Sequence, residues 1–241
     1  MQDKKFYSFI FISIIALVSA GLLSFAVMFL RPLQERNEAV EKKKNILLAV
    51  GLVYENNTPG PDEILQMFEG AIEPIVVNQL GEKVESGLNV EKINPELEEN
   101  KPPDQQCLPL FLQKEKGQVV SYCLPVFGKG LWSTIYGYLA LEKDRNTIKG
   151  ITFYKNGETP GLGAEITQTW FTGNFRGKQI FDNTGNLVSV RVVKGKVDPA
   201  SPGLIHEVDG ISGATKTCEG INSFLLKDLA KYQVFLQKQR D

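Results

Sequence analysis

The sequence predicts an α+β protein in which a single N-terminal transmembrane helix is followed by a mostly antiparallel sheet flanked by helices. Residues 6 to 30 contain no charged side chain, which is typical of a membrane-spanning segment. Several strand-like runs occupy the middle of the chain, and apolar residues recur at helical intervals near its end. Together these patterns indicate a folded domain attached to a membrane anchor.

The first element is the uncharged segment of residues 6 to 30. As a helix it would extend roughly 37 Å at about 1.5 Å per residue, which is enough to cross a bilayer with some tilt. A cleaved signal peptide is the alternative, because Val18-Ser19-Ala20 resembles a cleavage site, but the apolar run continues to Leu30. We therefore predict an anchor, preceded by a short N-terminus at residues 1 to 5.

Residues 31 to 60 are predicted to form a juxtamembrane helix and a linker. Pro32 is expected to end the anchor helix, and a charged helix is predicted to follow it. Asn56 to Pro61 is a cluster of turn-forming residues, after which Asp62 can cap a short helix. The folded domain is therefore predicted to span residues 61 to 241.

Apolar runs separated by turn-forming residues predict the strands of the sheet. Asn94 to Asp104 is acidic and contains prolines, so we expect a surface loop there. Leu162 to Phe171 has helix-like spacing, and a longer amphipathic helix is predicted from Lys216 to Gln237. The predicted strands are Ile75 to Leu80, Leu108 to Gln113, Val119 to Phe127, Thr134 to Glu142, Ile148 to Lys155 and Leu187 to Val193.

Composition argues against several classes of function. The 241 residues include 27 basic and 28 acidic side chains, a balance that does not favour nucleic-acid binding. Cys107, Cys123 and Cys218 lack short paired spacing, so we predict no metal site. The first two can pair across a hairpin or remain free thiols. His206 and Ser212 do not fit a serine hydrolase, and we predict no catalytic residue.

A glycine-rich segment, Asp209 to Thr217, runs directly into the predicted C-terminal helix. Gly210 and Gly213 allow tight turns, and the first turn of a helix presents unpaired N–H groups that favour an anion. Ser212 or Thr215 can alternatively be simple helix caps. The segment therefore indicates either an anion site or an ordinary capped helix start.

Two motifs give the chain a resemblance to a known family. Asp209 to Thr215 (DGISGAT) resembles the flavinylation signature of the FMN-binding domain family, in which a threonine carries FMN through a phosphoester. Glu158 to Gly163 (ETPGLG) is similar to a second motif of that family. Arg31 to Asn37 and Gly130 to Ser133 resemble the corresponding parts of the C subunits of sodium-translocating NADH:quinone oxidoreductases.

The resemblance implies a covalent FMN within a binding region of about residues 130 to 237. Thr215 is the expected acceptor of the phosphoester, and Thr217 is the second candidate. Lys216 is expected close to the phosphate. The other residues assigned to the flavin site are Ser212, Gly213, Ala214, Thr159, Leu162, Gly163 and Trp132.

The same resemblance implies an electron-carrier subunit of a sodium-pumping NADH:quinone reductase. It would relay electrons from an iron–sulfur centre to another flavin subunit and would not act alone. Its partners would be the other subunits, a flavin transferase during maturation, and membrane lipid, with no nucleic acid. Two alternatives remain open: the G subunit of an ion-translocating ferredoxin:NAD oxidoreductase, and a membrane-anchored binding or assembly module without a cofactor.

The charges around the anchor do not by themselves give its orientation. Two lysines precede it, whereas Arg31, Arg36 and Lys42 to Lys44 follow it, so a count of cations alone would place the domain in the cytoplasm. Long domains cross the membrane largely regardless of charge. The resemblance implies a single-pass protein of the bacterial inner membrane, with residues 1 to 5 cytoplasmic and the main domain periplasmic.

Overall fold

The computed structural model describes residues 2 to 84, 87 and 89 to 238, with side chains from Tyr7 onward. The chain divides into two compact units, residues 1 to 41 and residues 42 to 241. The predicted domain limits at residues 1 and 241 lie outside the described residues.

The longest element is helix α1, Gln2–Ala49. Its stretch from Tyr7 to Leu30 is apolar and long enough to cross a membrane, and the large apolar side chains as far as Leu33 are exposed. The prediction that Pro32 ends the anchor helix is wrong, because Pro32 lies inside α1. A proline removes one backbone hydrogen bond, and the neighbouring turns of good helix formers continue the helix past it.

The sheet is an antiparallel meander of five strands in the order β1-β2-β3-β4-β5. The predicted strands between residues 108 and 155 are confirmed. The run predicted over Leu187 to Val193 is a strand only at its end, because Ser189 has φ of +62° and interrupts the extended backbone. The strands are β1 Ile72–Val77, β2 Leu108–Glu115, β3 Gln118–Lys129, β4 Thr134–Glu142, β5 Ile148–Lys155 and the short parallel pair β6 Arg191–Val192 and β7 Glu207–Val208.

Helices cover both faces of this sheet. The Phe68 ring of helix α2, Pro61–Ala71, contacts Phe111 of β2, with ring centroids 6.2 Å apart. The short helix α4, Thr169–Thr172, precedes helix α5, Thr215–Gln237, in the chain. The Phe224 ring of α5 contacts Phe153 of β5 at 6.4 Å on the opposite face. Because both faces are covered, the strands are buried along most of their length rather than at alternate positions.

The last turns of α1 also belong to the layer that covers the α2 face of the sheet. The Thr152 hydroxyl of β5 donates to the Asn45 carbonyl oxygen at 3.3 Å. A Cβ atom on Gly150 would lie 2.4 Å from the Ala49 carbonyl oxygen, so glycine permits this close packing. Ile46 and Leu47 are buried here, and the C-terminal unit therefore includes the end of the long helix.

Two local predictions are wrong. Asp62 does not cap α2, because Gly60 is the N-cap and Asp62 lies in the first turn, where its charge suits the helix dipole. The stretch predicted as a surface loop contains helix α3, Pro95–Glu99. Its Glu98 is buried and accepts a hydrogen bond from the Cys107 N–H at 2.9 Å, which holds this helix against the start of β2.

The three cysteines are free thiols. Cys123 and Cys218 are buried, and burial raises the pKa of both thiols. The register places Phe111, and not Cys107, opposite Cys123, so the two hairpin cysteines do not face each other. The free-thiol alternative is the one that the structure shows.

Candidate flavin-binding site

The two sequence motifs lie against each other at one end of the sheet. A Cβ atom on Gly163 would lie 2.6 Å from Thr217 Oγ1 at the start of α5. On the neighbouring turn, a Cβ atom on Gly213 would lie 2.7 Å from Leu162 Cδ2. Gly213 has φ of +75°, a conformation that favours glycine. The glycines therefore allow the ETPGLG loop, residues 158 to 163, to contact the flavinylation motif directly.

A third segment, the Trp132 turn of residues 130 to 133 between β3 and β4, joins the same site. The Gly130 N–H donates to the Ser133 carbonyl oxygen at 2.8 Å, which closes this turn. The Ser133 hydroxyl then accepts a hydrogen bond from the Gly157 N–H at 2.5 Å, next to the ETPGLG loop. Segments far apart in the chain thus form one surface.

Glu158 lies at the centre of this surface and is 5% exposed. Its Oε1 accepts hydrogen bonds from the backbone N–H groups of Trp132 at 2.9 Å and Ser133 at 3.3 Å. Its Oε2 accepts from the Leu131 N–H at 3.2 Å and from the Thr217 hydroxyl at 2.6 Å. One carboxylate therefore connects the Trp132 turn, the ETPGLG loop and the first turn of α5.

These contacts set the protonation state of Glu158. Burial alone would raise the pKa of this carboxyl, but the hydrogen bonds from Thr217 and from the Trp132 turn hold it below the ordinary value. All four donors are uncharged groups. Dipoles directed at the carboxylate therefore stabilise a buried negative charge.

We expect this carboxylate to contribute stability that is lost in acid. Because the folded-state pKa lies below the ordinary value of 4.5, the contribution is present above that pH and disappears as the pH falls through the folded value. Glu158→Gln should lower the free energy of unfolding by roughly 2 to 4 kcal/mol near neutrality, and by less at about pH 3. Urea unfolding of both proteins across this pH range measures the difference.

Glu165→Gln is the matched control for that experiment, because Glu165 lies just beyond the same loop and is only half-buried. Other carboxyls titrate equally in the wild type and in each variant, so the difference between two curves isolates the substituted group. A difference that stayed constant down to about pH 3 would show that Glu158 is not the ionised acceptor.

The two candidate threonines have opposite environments. Thr215 is the first residue of α5 and is exposed, whereas Thr217 is 1% exposed and donates to Glu158. Thr215 lines a cleft of about 530 Å³ between residues 192 to 196 and residues 210 to 219. Of the two hydroxyls, the one on Thr215 is therefore open to a reacting partner.

The start of α5 favours an anion in this cleft. Ala214 is the N-cap and makes no side-chain hydrogen bond to the helix, so the simple capping alternative for Ser212 and Thr215 is wrong. The N–H groups of the first turn and the helix dipole then favour a negative charge beside Thr215. Ser212 and Gly213 are exposed, and both line the cleft.

Three lysines lie around the cleft, and two of them form ion pairs with nearby carboxylates. Lys216 contacts the Glu219 carboxylate at 2.7 Å and projects from the exposed side of α5. Lys196 lines the cleft and contacts the Asp209 carboxylate at 2.7 Å, which lowers the pKa of that carboxyl. Lys194 also lines the cleft and is exposed. Neither of these last two lysines lies in a motif that the sequence indicated as functional.

The remaining predicted residues lie on the side of the ETPGLG loop. Trp132 is 70% exposed and Leu162 is 42% exposed, so both present apolar surface to solvent next to the site. The Thr159 carbonyl oxygen accepts hydrogen bonds from the Leu162 and Ala164 N–H groups, both at 3.1 Å, which close this loop. Exposed side chains of this kind are suited to contact a flat aromatic ring.

Comparison with known proteins agrees with this geometry. Residues 130 to 229 match the FMN-binding domain family. In an alignment 247 positions long, the chain is 33% identical to the C subunit of the Na(+)-translocating NADH-quinone reductase of Pseudomonas aeruginosa, and the match covers 94% of this chain and 93% of that protein. The chain belongs to this C-subunit family.

Two further comparisons support the assignment to the C subunits. The corresponding protein of Haemophilus ducreyi is 36% identical over 227 residues, covering 88% of this chain and 84% of that one. The crystal structure of the C subunit from Parabacteroides distasonis has a TM-score of 0.75 and 35% identity, covering 87% of this chain and 98% of the other. The family resemblance and the α+β fold predicted from sequence are confirmed.

The family assignment also fixes the broad class of protein. The C subunit has an FMN-binding domain and belongs to a family of subunits of a membrane oxidoreductase complex. Its long apolar N-terminal helix is consistent with a membrane-anchored protein. Both curated relatives are C subunits, which favours this assignment over the G subunit of a ferredoxin:NAD oxidoreductase.

Proposed function

We propose that this C subunit bears FMN as a phosphoester of Thr215 and relays electrons within a Na⁺-translocating NADH-quinone reductase. The observation that carries the proposal is the contrast between the two threonines. Thr215 is exposed in a cleft at the start of α5, whereas Thr217 is buried and hydrogen-bonded to Glu158. Thr215 is therefore the acceptor that a second protein can reach.

The residues present fit a flavin phosphate. The cleft of about 530 Å³ is large enough for a flavin phosphate, and the N-terminus of α5 favours the phosphate charge. Lys194 adds positive charge to the cleft wall, whereas the charge of Lys196 is paired with Asp209 and that of Glu219 with Lys216. Trp132 and Leu162 offer apolar surface to the ring. When bound, FMN supplies the capacity to accept and donate electrons, and the residues of this chain bind and orient it.

Attachment requires a partner because a threonine hydroxyl is a weak nucleophile by itself. A flavin transferase would form the bond between Thr215 Oγ1 and the FMN phosphorus of a phosphoanhydride donor. The hydroxyl proton would pass to a base on the transferase, and the P–O bond to the other half of the anhydride would break, with that half leaving as a phosphate monoester. The resulting diester keeps one negative charge, which lies beside the first N–H groups of α5. Lys216 can screen this charge if its contact with Glu219 opens.

The family assignment supports the proposed role in the complex. We assign NADH oxidation, the iron–sulfur centre that donates electrons, and the flavin that accepts them to neighbouring subunits. The anchor, residues 6 to 30, would contact lipid of the bacterial inner membrane, and residues 1 to 5 would be cytoplasmic. Residues 31 to 60 would connect it to a periplasmic domain of residues 61 to 241.

Flavin fluorescence in a denaturing gel tests the attachment. Wild type, Thr215→Val and Thr217→Val are each produced with and without a co-expressed flavin transferase. We expect a fluorescent band that depends on the transferase and is lost only in Thr215→Val. Loss only in Thr217→Val would contradict the site. A wild-type band without fluorescence, beside an active transferase, would favour the binding-module alternative.

A further inference from the structure

Glu158 has a role that the flavin motifs alone do not assign. We propose that Glu158 is a positioning residue for the flavin site, which holds the Trp132 turn against the first turn of α5 and keeps the Thr217 hydroxyl away from the acceptor position. The proposal rests on the proposed function, because it concerns the site at which FMN is attached.

The hydrogen bonds give Glu158 this capacity. A carboxylate offers about four acceptor positions, and four donors from two other segments of the chain use them. Three of these donors are the successive backbone N–H groups of residues 131 to 133. The turn is therefore oriented by one buried carboxylate and not by its own internal bond alone.

The packing leaves the carboxylate little freedom. A Cβ atom on Gly130 would lie 2.6 Å from Glu158 Oε1, and one on Gly163 would lie 2.9 Å from Glu158 Oε2. The carboxylate thus lies between two glycines from two different loops. Any larger residue at either position would displace it, so the glycines and the carboxylate form one arrangement.

The arrangement fixes the backbone of Trp132 and leaves its side chain open. The Trp132 N–H donates to Glu158 at 2.9 Å, while the side chain is 70% exposed. If the hydrogen bond from the Trp132 N–H only stabilised the turn, the turn would not need a large aromatic side chain exposed to solvent. A turn whose backbone is fixed while its tryptophan side chain remains exposed is suited to bind a flat ligand.

The same carboxylate distinguishes the two hydroxyl groups at the start of α5. The Thr217 hydroxyl donates a hydrogen bond to Glu158 at 2.6 Å and is buried against Gly163. Thr215, two residues earlier on the helix, is exposed and lines the cleft. Glu158 therefore holds α5 with one threonine directed inward and the other directed to the cleft.

Fluorescence of Trp132 tests the proposal in the full-length protein. The chain has two tryptophans, so a Trp170→Phe background leaves Trp132 as the only one. In this background we compare the parent protein with Glu158→Gln, Thr217→Val and the matched control Glu165→Gln. The measurements are Trp132 anisotropy without flavin, quenching of Trp132 emission after flavin loading by the transferase, and thermal unfolding by circular dichroism.

We expect Glu158→Gln to remain folded but to show lower Trp132 anisotropy and to lose most of the quenching by flavin. Thr217→Val, which removes only the contact with α5, should show a partial loss of both signals. Glu165→Gln should match the parent protein. A folded Glu158→Gln whose two signals equal those of Glu165→Gln would overturn the proposal.

Two other outcomes are also decisive. If Glu158→Gln does not fold, the test depends on Thr217→Val. Trp132 anisotropy and quenching equal to those of the parent protein in that variant would overturn the proposal. If no flavin attaches to the parent protein, the proposed function fails, but the anisotropy of the flavin-free proteins still tests whether Glu158 orients the Trp132 turn. Failure of the positioning role and failure of flavin attachment are therefore distinguishable.

Discussion

A complex that contains Thr215→Val should lose electron flow from NADH to quinone. Valine has nearly the shape of threonine but lacks the oxygen that would form the phosphoester. Because Thr215 is exposed, we expect the fold to change in stability by less than about 0.5 kcal/mol. Quinone reduction by the purified complex should fall to the level seen without this subunit, since the relay would have no flavin here.

Three controls separate this loss from a general defect. Thr215→Ser keeps a hydroxyl at the same place and should retain covalent flavin and activity. Thr217→Val should retain covalent flavin. NADH oxidation by an artificial electron acceptor should persist in Thr215→Val, because we assign that reaction to another subunit. A Thr215→Val complex with full quinone reduction would contradict the electron-relay role.

Gly220→Ala should strongly destabilise the packing of α5 on the sheet. A Cβ atom at this position would lie 2.3 Å from the Lys129 carbonyl oxygen, which is backbone and cannot rotate away. Alanine favours a helix by about 1 kcal/mol over glycine, but overlap at this distance outweighs the gain. We expect a net loss of roughly 1 to 3 kcal/mol in the free energy of unfolding by urea, together with a lower yield of covalent flavin.

Gly70→Ala is the matched control, because it is the same substitution in another helix. Gly70 lies in α2 with no atom within 4 Å of an added Cβ, and it is exposed. We expect it to stabilise the protein by roughly 0.5 to 1 kcal/mol through helix propensity alone. If both substitutions changed the free energy of unfolding in the same direction, the contact with the Lys129 carbonyl oxygen would not control the packing of α5 on the sheet.

Local patterns in the sequence predicted most of the sheet and the last helix. The strands of the meander are apolar runs between turn-forming residues, and α5 has a repeating apolar face, so each is visible in a short window. The end of the anchor helix was wrongly predicted, because the penalty at Pro32 is local and the helix around it is strong. Helix α3 was missed because a short acidic segment with prolines also fits a loop.

The candidate site was only partly predictable because its central contacts are distant in sequence. The motifs placed Thr215 and Thr217 near a helix start, but the hydrogen bond between Thr217 and Glu158 is visible only in the three-dimensional structure. One signal was available: Thr217 precedes Ile221 and Phe224 by four and seven positions, which places it on the buried face of α5. That spacing alone separates it from Thr215.

The packing of the last turns of α1 on β5 limits where the chain can be cut for work in solution. A fragment that begins at residue 61, the predicted start of the domain, would lack Ile46 and Leu47 and would expose to water the part of the sheet that the end of α1 covers. Such a fragment would tend to aggregate on purification. A soluble form should begin before Lys42, so that the helix supplies its buried turns while the lipid-facing part is left out.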